Sequence, residues 1–243
     1  MPDIRQIALC EAKGIEVPKN ARILDYGCGA GRRVYQLLDA GYKAAIGYDV
    51  FDYLELRDPC DRQRFHIDPS GQIPLPDASV DFVFSDQVFE HVSDQPRAWG
   101  EIYRVLKPGG VSVHVMPAKW QLIEPHIKVP LGGLRLFKRR AWYGFWALVG
   151  VRNPSQHGLS IAEVARRNYD YAHSSLWYWS SRQYRRLFRK MPWAWSWEEL
   201  AYMQASHKPR IQQLARVSRS LPGILPAIRT FWVRVLMTRK PAE

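Results

Sequence analysis

The most constraining stretch of the chain is Leu24–Asp25–Tyr26–Gly27–Cys28–Gly29–Ala30–Gly31. Residues 22–26 (RILDY) read as a short buried strand, and glycines follow at the alternate positions 27, 29 and 31. From Arg32 to Leu38 the spacing turns helical, with Val34, Leu37 and Leu38 apolar, and the pattern ends near Gly41. A strand fed into a helix through a tight glycine turn lets the backbone approach a ligand closely. A dinucleotide fingerprint would place its third glycine one position later, where Arg32 stands, and a phosphate loop would end in Gly-Lys-Ser/Thr, which is absent.

Further strands are expected at Ala44–Val50, Arg64–Ile67, Val80–Ser85 and Val111–Met116, with a helix at Arg97–Leu106 stopped by Lys107–Pro108–Gly109–Gly110. Strands alternating with helices on short connections specify an α/β fold, a mainly parallel sheet covered on both faces. In such sheets ligands bind beyond the carboxyl ends of the strands. Asp25, Asp49, Asp68 and Asp86 each fall at or just after a strand end, so they are expected along one edge. Asp25 beside the turn would repel a pyrophosphate and favour an ammonium or sulfonium group. Asp49 is suited to accept hydrogen bonds from a ribose diol. An adenosine ligand with a positive tail fits both.

The segment ILDYGCGAGR resembles the first motif of class I S-adenosylmethionine-dependent methyltransferases. Taken with Gly47–Tyr48–Asp49, the run Leu75–Asp81, Ser85–Val92 and Arg104–Gly110, it is similar to the type 11 methyltransferase domain over about residues 20–117. That resemblance implies a Rossmann-like, mainly parallel seven-stranded sheet flanked by helices, and S-adenosylmethionine as cofactor. It implies that Asp25 and the turn Gly27, Cys28, Gly29 and Gly31 hold the methionine portion, and that Asp49, with Val50 beside it, takes the ribose. Asp68 or the backbone of Ile67 would meet the adenine, and the backbone at Asp86 and Gln87 would close over the cofactor.

An alcohol or phenol acceptor would gain from a general base, for which histidine is suited. His91 lies in the family-like motif, either facing the methyl group or supporting the pocket. His126, in Ile123–Glu124–Pro125–His126, follows the fifth strand, where Glu124 could orient it as a base; the alternative is a polar loop residue. His114 alternates with valines and reads as packed or pocket wall. Cys10, Cys28 and Cys60 show no zinc spacing and no disulfide framework, so no metal is expected.

The net charge of +12 is unevenly spread: residues 1–120 carry 14 basic and 17 acidic side chains, residues 121–243 carry 21 and 6. Eight of the ten tryptophans lie in the second part. This aromatic, basic C-terminal portion reads as an insertion on one domain spanning 1–243: a cofactor core at 20–117, a substrate-facing segment at 118–220, and a closing segment at 221–243. Helices are expected at Ser181–Lys190 and, despite Pro209, Glu198–Gln213, with short strands at Met191–Trp197 and Phe231–Thr238. Lys138–Arg139–Arg140 before AWYGFWALVG suits either an interfacial segment at an anionic membrane surface or a lid over an apolar pocket. The basic row Arg182, Arg185, Arg186, Arg189 and Lys190 invites an anionic partner, but no RNA-binding module is evident. A small-molecule, glycan or lipid-linked acceptor is therefore expected ahead of nucleic acid, with a non-catalytic cofactor binder as the other alternative. With no secretory signal pattern at 1–14, the location is expected to be cytoplasmic.

Overall fold

The computed structural model describes residues 4–242; residues 1–3 of the N-terminal stretch and Glu243 at the end of the closing segment lie outside it. In chain order the elements are α1 (Arg5–Ala12), β1 (Ile23–Tyr26), α2 (Arg32–Asp39), β2 (Ala45–Asp49), β3 (Phe65–Ile67), β4 (Val80–Asp86), α3 (Gln95–Val105) and β5 (Leu106–Pro117). They continue with α4 (Arg140–Leu148), α5 (Ile161–Ser174), α6 (Ser181–Phe188), β6 (Ala194–Trp197), α7 (Glu199–Gln204), α8 (Pro209–Ser220), α9 (Leu225–Phe231) and β7 (Val233–Arg239).

One seven-stranded sheet runs in the order β3-β2-β1-β4-β5-β7-β6. β1 to β5 pair in parallel, and β7 inserts antiparallel to β5 and β6. The strand order reverses at β1, which lies between β2 and β4, and that is where α/β sheets open a crevice for ligands. The expected strands and first helices are present within a few residues of the expected bounds.

Alternation along the strands feeds two cores, one per face. Ile23, Phe82, Phe84, Val113 and Val235 pack on one side. Leu24, Val83, Met116 and Leu236 pack on the other, with Trp99, Tyr184, Phe188 and Trp193. Trp99 stacks on Phe89 at 4.2 Å between centroids and meets Phe188 edge-on at 4.9 Å. Much of the aromatic excess of the second half is therefore core: α6 and β6 bring it over one face of the sheet. The basic residues of α6 remain on its exposed side, while Tyr184 and Phe188 turn inward.

Two local expectations are corrected. The stretch read as one helix over 198–213 is two, because Pro209 lacks an amide hydrogen and begins α8 in its first turn rather than continuing α7. The helix α3 does stop before Lys107–Gly110; β5 begins at Leu106, and Gly109 takes φ +77° within the irregular start of the strand, where its amide bonds to the carbonyls of Lys240 and Pro241. Lys138 is not a headgroup-facing cation, since its half-buried ammonium donates to the carbonyls of Ala172 and Leu176. The helix α5, missed in the sequence, packs against α4 around Tyr143, Ala165 and Ala172. No helix among the described residues is long and apolar enough to cross a membrane.

Candidate active site

At the carboxyl ends of β1, β2 and β4 a cleft of about 740 Å³ is lined by Gly27, Gly29, Asp49, Val50, Gln87 and His91, among others. Its floor is the glycine turn, and each glycine has a separate physical reason. A Cβ on Gly27 (φ +78°) would lie 2.5 Å from a Val88 methyl carbon, and one on Gly31 (φ +80°) would lie 2.8 Å from the Phe65 ring. These two are packing glycines in a left-handed conformation. Gly29 (φ +50°) would direct a Cβ into open space, so its backbone is free to meet a ligand. The turn is held by Tyr48, whose carbonyl accepts from the amides of Gly27 at 2.8 Å and Cys28 at 3.0 Å. The Cys28 side chain is buried under the turn, and a Cβ on Gly47 would lie 2.8 Å from its sulfur; burial pushes the thiol pKa up.

Asp49 is tied into the same turn. Its Oδ2 accepts from the Gly29 amide at 2.8 Å, and its Oδ1 accepts from Val50 at 2.7 Å and Phe51 at 3.2 Å. A carboxylate has about four acceptor sites, so these bonds leave one on Oδ2. Asp25 is buried beneath the turn, and burial, assisted by Asp86 and Asp49 and opposed by Arg33, pushes its pKa up to about 7. Burial also raises Asp86, although Arg33 donates to it at 3.4 Å. Gln87 adopts φ +58° while its amide bonds to Val115, a costly conformation for a non-glycine residue and one that places it on the cleft wall. Asp68 caps its own turn by accepting from the Ser70 amide at 2.8 Å. The cleft wall beyond β3 is made by Pro69, Ser70 and Gly71 rather than by Ile67 or Asp68.

His91 lies on the cleft wall, and His126 lies against it. His91 closes a single 3-10 turn (Phe89–His91) after β4, and His126 sits in a tight loop closed by a bridge between Ile123 and Pro130. Their Nε2 atoms face each other at 3.2 Å. His91 Nδ1 lies 2.7 Å from the Ser175 carbonyl, and His126 Nδ1 lies 2.7 Å from Glu124 Oε1. Glu124 also accepts from Tyr178 Oη at 2.9 Å and from the amides of His126 and Ile127 at 2.8 and 2.7 Å. Burial alone would raise the Glu124 carboxyl; these donors more than offset it and hold the pKa below its usual value. Burial also lowers His91, and neighbouring His126 adds to that.

Glu90 was not singled out in the sequence. Its carboxyl is buried, neither oxygen has a hydrogen-bond partner among the described residues, and burial pushes its pKa up to about 8. With His91 and His126 it forms a group whose ligand atoms all lie within 4.8 Å of one another. Sequence spacing could not show this, because thirty-five positions separate the two histidines. His114, by contrast, is packed: its Nδ1 lies 2.8 Å from Ser85 Oγ, and burial takes its pKa down to about 3.

A positively charged adenosine ligand suits these residues, with an open glycine backbone, a carboxylate with an acceptor site left, and a buried acid that a nearby cation would ionise. The sheet is Rossmann-like, with this cleft at its switch point. Residues 24–114 match the model of a methyltransferase domain. Over 90 residues the chain is 37% identical to a probable S-adenosylmethionine-dependent methyltransferase of Mycolicibacterium smegmatis, an alignment covering 37% of this chain and 35% of that protein. Over 130 residues it is 33% identical to a malonyl-(acyl-carrier protein) O-methyltransferase of Serratia marcescens, covering 47% and 50%. The chain thus spans half or less of these curated relatives. Among solved structures, an S-adenosylmethionine-dependent methyltransferase from Mesorhizobium loti superposes with a TM-score of 0.55 at 15% identity, over 96% of this chain and 98% of that one, a likeness of fold. Residues 24–114 thus carry the likeness to a methyltransferase domain, and S-adenosylmethionine is the cofactor to which that likeness points.

Proposed function

We propose that this protein transfers a methyl group from S-adenosylmethionine to a small-molecule, glycan or lipid-linked acceptor. The observation that carries the reading is one cleft with the glycine turn and Asp49 on its floor and His91 on its wall. In this reading Asp25 and the backbone of Gly27–Gly31 hold the methionine portion, while Asp49 and the neighbouring Val50 hold the ribose. Pro69–Gly71, next to Ile67 and Asp68, border the adenine, and the backbone at Asp86 and Gln87 closes the side. The bound cofactor supplies an electrophilic methyl group on a sulfonium sulfur.

The protein aligns an acceptor and takes up its proton. Both Nδ1 atoms of the histidine pair face acceptors, so the pair has room for one proton at Nε2. Glu124, pinned as an anion by four donors, favours the charge that arrives with it. An acceptor hydroxyl would lose its proton to that position as its oxygen takes the methyl group. The name of the Serratia relative supports an oxygen acceptor. A lipid-linked acceptor is supported by α4, which buries Tyr143 and Ala147 but exposes Phe145 and Leu148, followed by exposed Val149.

The test is transfer of labelled methyl from S-adenosylmethionine to lipid, glycan, RNA and soluble fractions of a cell extract, with a His126→Asn variant alongside. Label in the lipid, glycan or soluble fraction, reduced roughly 100-fold or more in the variant, is the expected result for a general base. Label confined to RNA would favour a nucleic-acid substrate at the basic row of α6. Label in no fraction, with the cofactor still bound, would favour a non-catalytic binder.

A further inference from the structure

The histidine pair has an unresolved proton balance. A carbonyl oxygen only accepts, so His91 Nδ1 must donate to Ser175, and an ionised carboxylate only accepts, so His126 Nδ1 must donate to Glu124. If both rings were neutral, two Nε2 lone pairs would crowd one another at 3.2 Å with no proton between them. A positive species belongs there, either a proton or a metal ion. Glu90 separates the two cases. Its side chain is 1% exposed, both oxygens lack partners among the described residues, and Oε1 lies 4.0 Å from His91 Nε2. A shared proton leaves this buried carboxyl without a role, whereas a metal ion uses all three groups.

We propose that Glu90, His91 Nε2 and His126 Nε2 bind a divalent transition-metal ion, with zinc the best match to two imidazoles and a carboxylate. In tetrahedral zinc with Zn–N bonds of about 2.0–2.1 Å, two nitrogens stand about 3.3 Å apart, so the rings are already at the required separation. Glu90 Oε1 stands 4.0 Å from His91 Nε2, and with all three ligand atoms within 4.8 Å of one another it has to approach by about 1–1.5 Å to complete the set. The far nitrogen of each ring is fixed by a carboxylate or a backbone carbonyl, as metal-binding imidazoles are oriented. Glu124 is itself immobilised by four donors, and Asn153 holds the His126 carbonyl at 2.6 Å. The loop carrying these groups contains two non-glycine residues in left-handed conformation, Lys128 at φ +61° and Leu131 at φ +55°. His91 lies on the cleft wall, so a fourth coordination position is available there to water or to an acceptor oxygen, which the ion would polarise. Ion and shared proton are alternative occupants, so metal binding displaces a proton. The inference concerns metal binding alone and does not depend on methyl transfer.

The experiment is titration of the chelator-treated full chain with Co²⁺ alone, followed by visible absorption, then displacement with Zn²⁺. One equivalent of Co²⁺ with the intense bands of a four- or five-coordinate site, displaced by Zn²⁺ and bound more weakly as pH is lowered, is the expected result. Glu90→Gln and His126→Asn should each weaken binding at least tenfold, and Glu124→Gln about 10–100-fold through the orientation of His126. Cys60→Ser, altering an exposed thiol, should leave binding unchanged. Circular dichroism establishes that each variant is folded; should Glu90→Gln fail to fold, His126→Asn and Glu124→Gln decide. Absence of saturable binding at millimolar ion, or equal affinity in the folded variants, would overturn the site. Either outcome leaves S-adenosylmethionine binding untouched, so the metal inference and cofactor binding fail separately, while a bound ion would take the place of the free Nε2 base.

Discussion

The Asp49 carboxylate accepts a hydrogen bond from the Gly29 amide at 2.8 Å, so the acid proposed to hold a ribose also fixes the turn proposed to receive the rest of the ligand. The end of β2 and the loop after β1 are thereby one unit. Disturbing either is expected to alter cofactor affinity before it alters the fold.

The glycines of the turn should separate into two behaviours. Both Gly27→Ala and Gly29→Ala carry the strain of a left-handed residue, roughly 1–2 kcal/mol. Only Gly27→Ala adds a clash, with Val88 at 2.5 Å, whereas the new methyl group at Gly29 enters the cleft. Thermal unfolding and cofactor titration on the two variants should therefore diverge. Gly27→Ala is expected to unfold at a clearly lower temperature, while Gly29→Ala should lose only about 2–8 °C but bind S-adenosylmethionine at least tenfold more weakly.

Asp25 predicts a pH dependence of binding. Its pKa, pushed up to about 7 by burial, means that the carboxyl is protonated in the ligand-free protein below neutrality. A sulfonium or ammonium group nearby favours the ionised form, so binding releases a proton. Affinity should rise by up to about tenfold per pH unit toward pH 7 and level off above it. Calorimetry in buffers of different ionisation heat should detect the released proton, and Asp25→Asn should flatten the profile.

His114 makes the opposite kind of contribution, to stability. Its pKa falls from 6.5 to about 3 on burial, so below 6.5 the unfolded chain takes up a proton that the folded ring refuses. Stability present above pH 6.5 is lost as pH falls toward 3, at no more than about 1.4 kcal/mol per unit. Asp25 acts in the other direction over about pH 4–7, since a raised carboxyl stabilises at low pH and loses that contribution as pH rises. Comparison with His114→Asn cancels the Asp25 effect. Between about pH 7 and pH 5 the native protein should lose roughly 1–2 kcal/mol more than the variant, read from denaturant midpoints.

The parallel half of the sheet was legible because its signals are local: RILDY, VDFVFS and the valines of β5 carry strand patterns, and the glycine triplet marks the turn. The cleft edge followed, since strand ends in a parallel sheet share one edge. What failed depended on contacts distant in sequence. Lys138 looked like part of a surface cluster because nothing near it in the chain shows the carbonyls of Ala172 and Leu176. Glu90 was passed over because a glutamate beside a histidine is unremarkable until His126, thirty-six positions later, folds onto it. Pro209 was different, a local signal underweighted.

Calorimetric titration of the purified protein and of Asp49→Ala with S-adenosylmethionine is the most direct test of the cleft. Saturable binding by the native chain, at least tenfold weaker in a variant that still unfolds cooperatively, is the result the structure predicts. Equal affinity in the two proteins, or no binding by either, would contradict it.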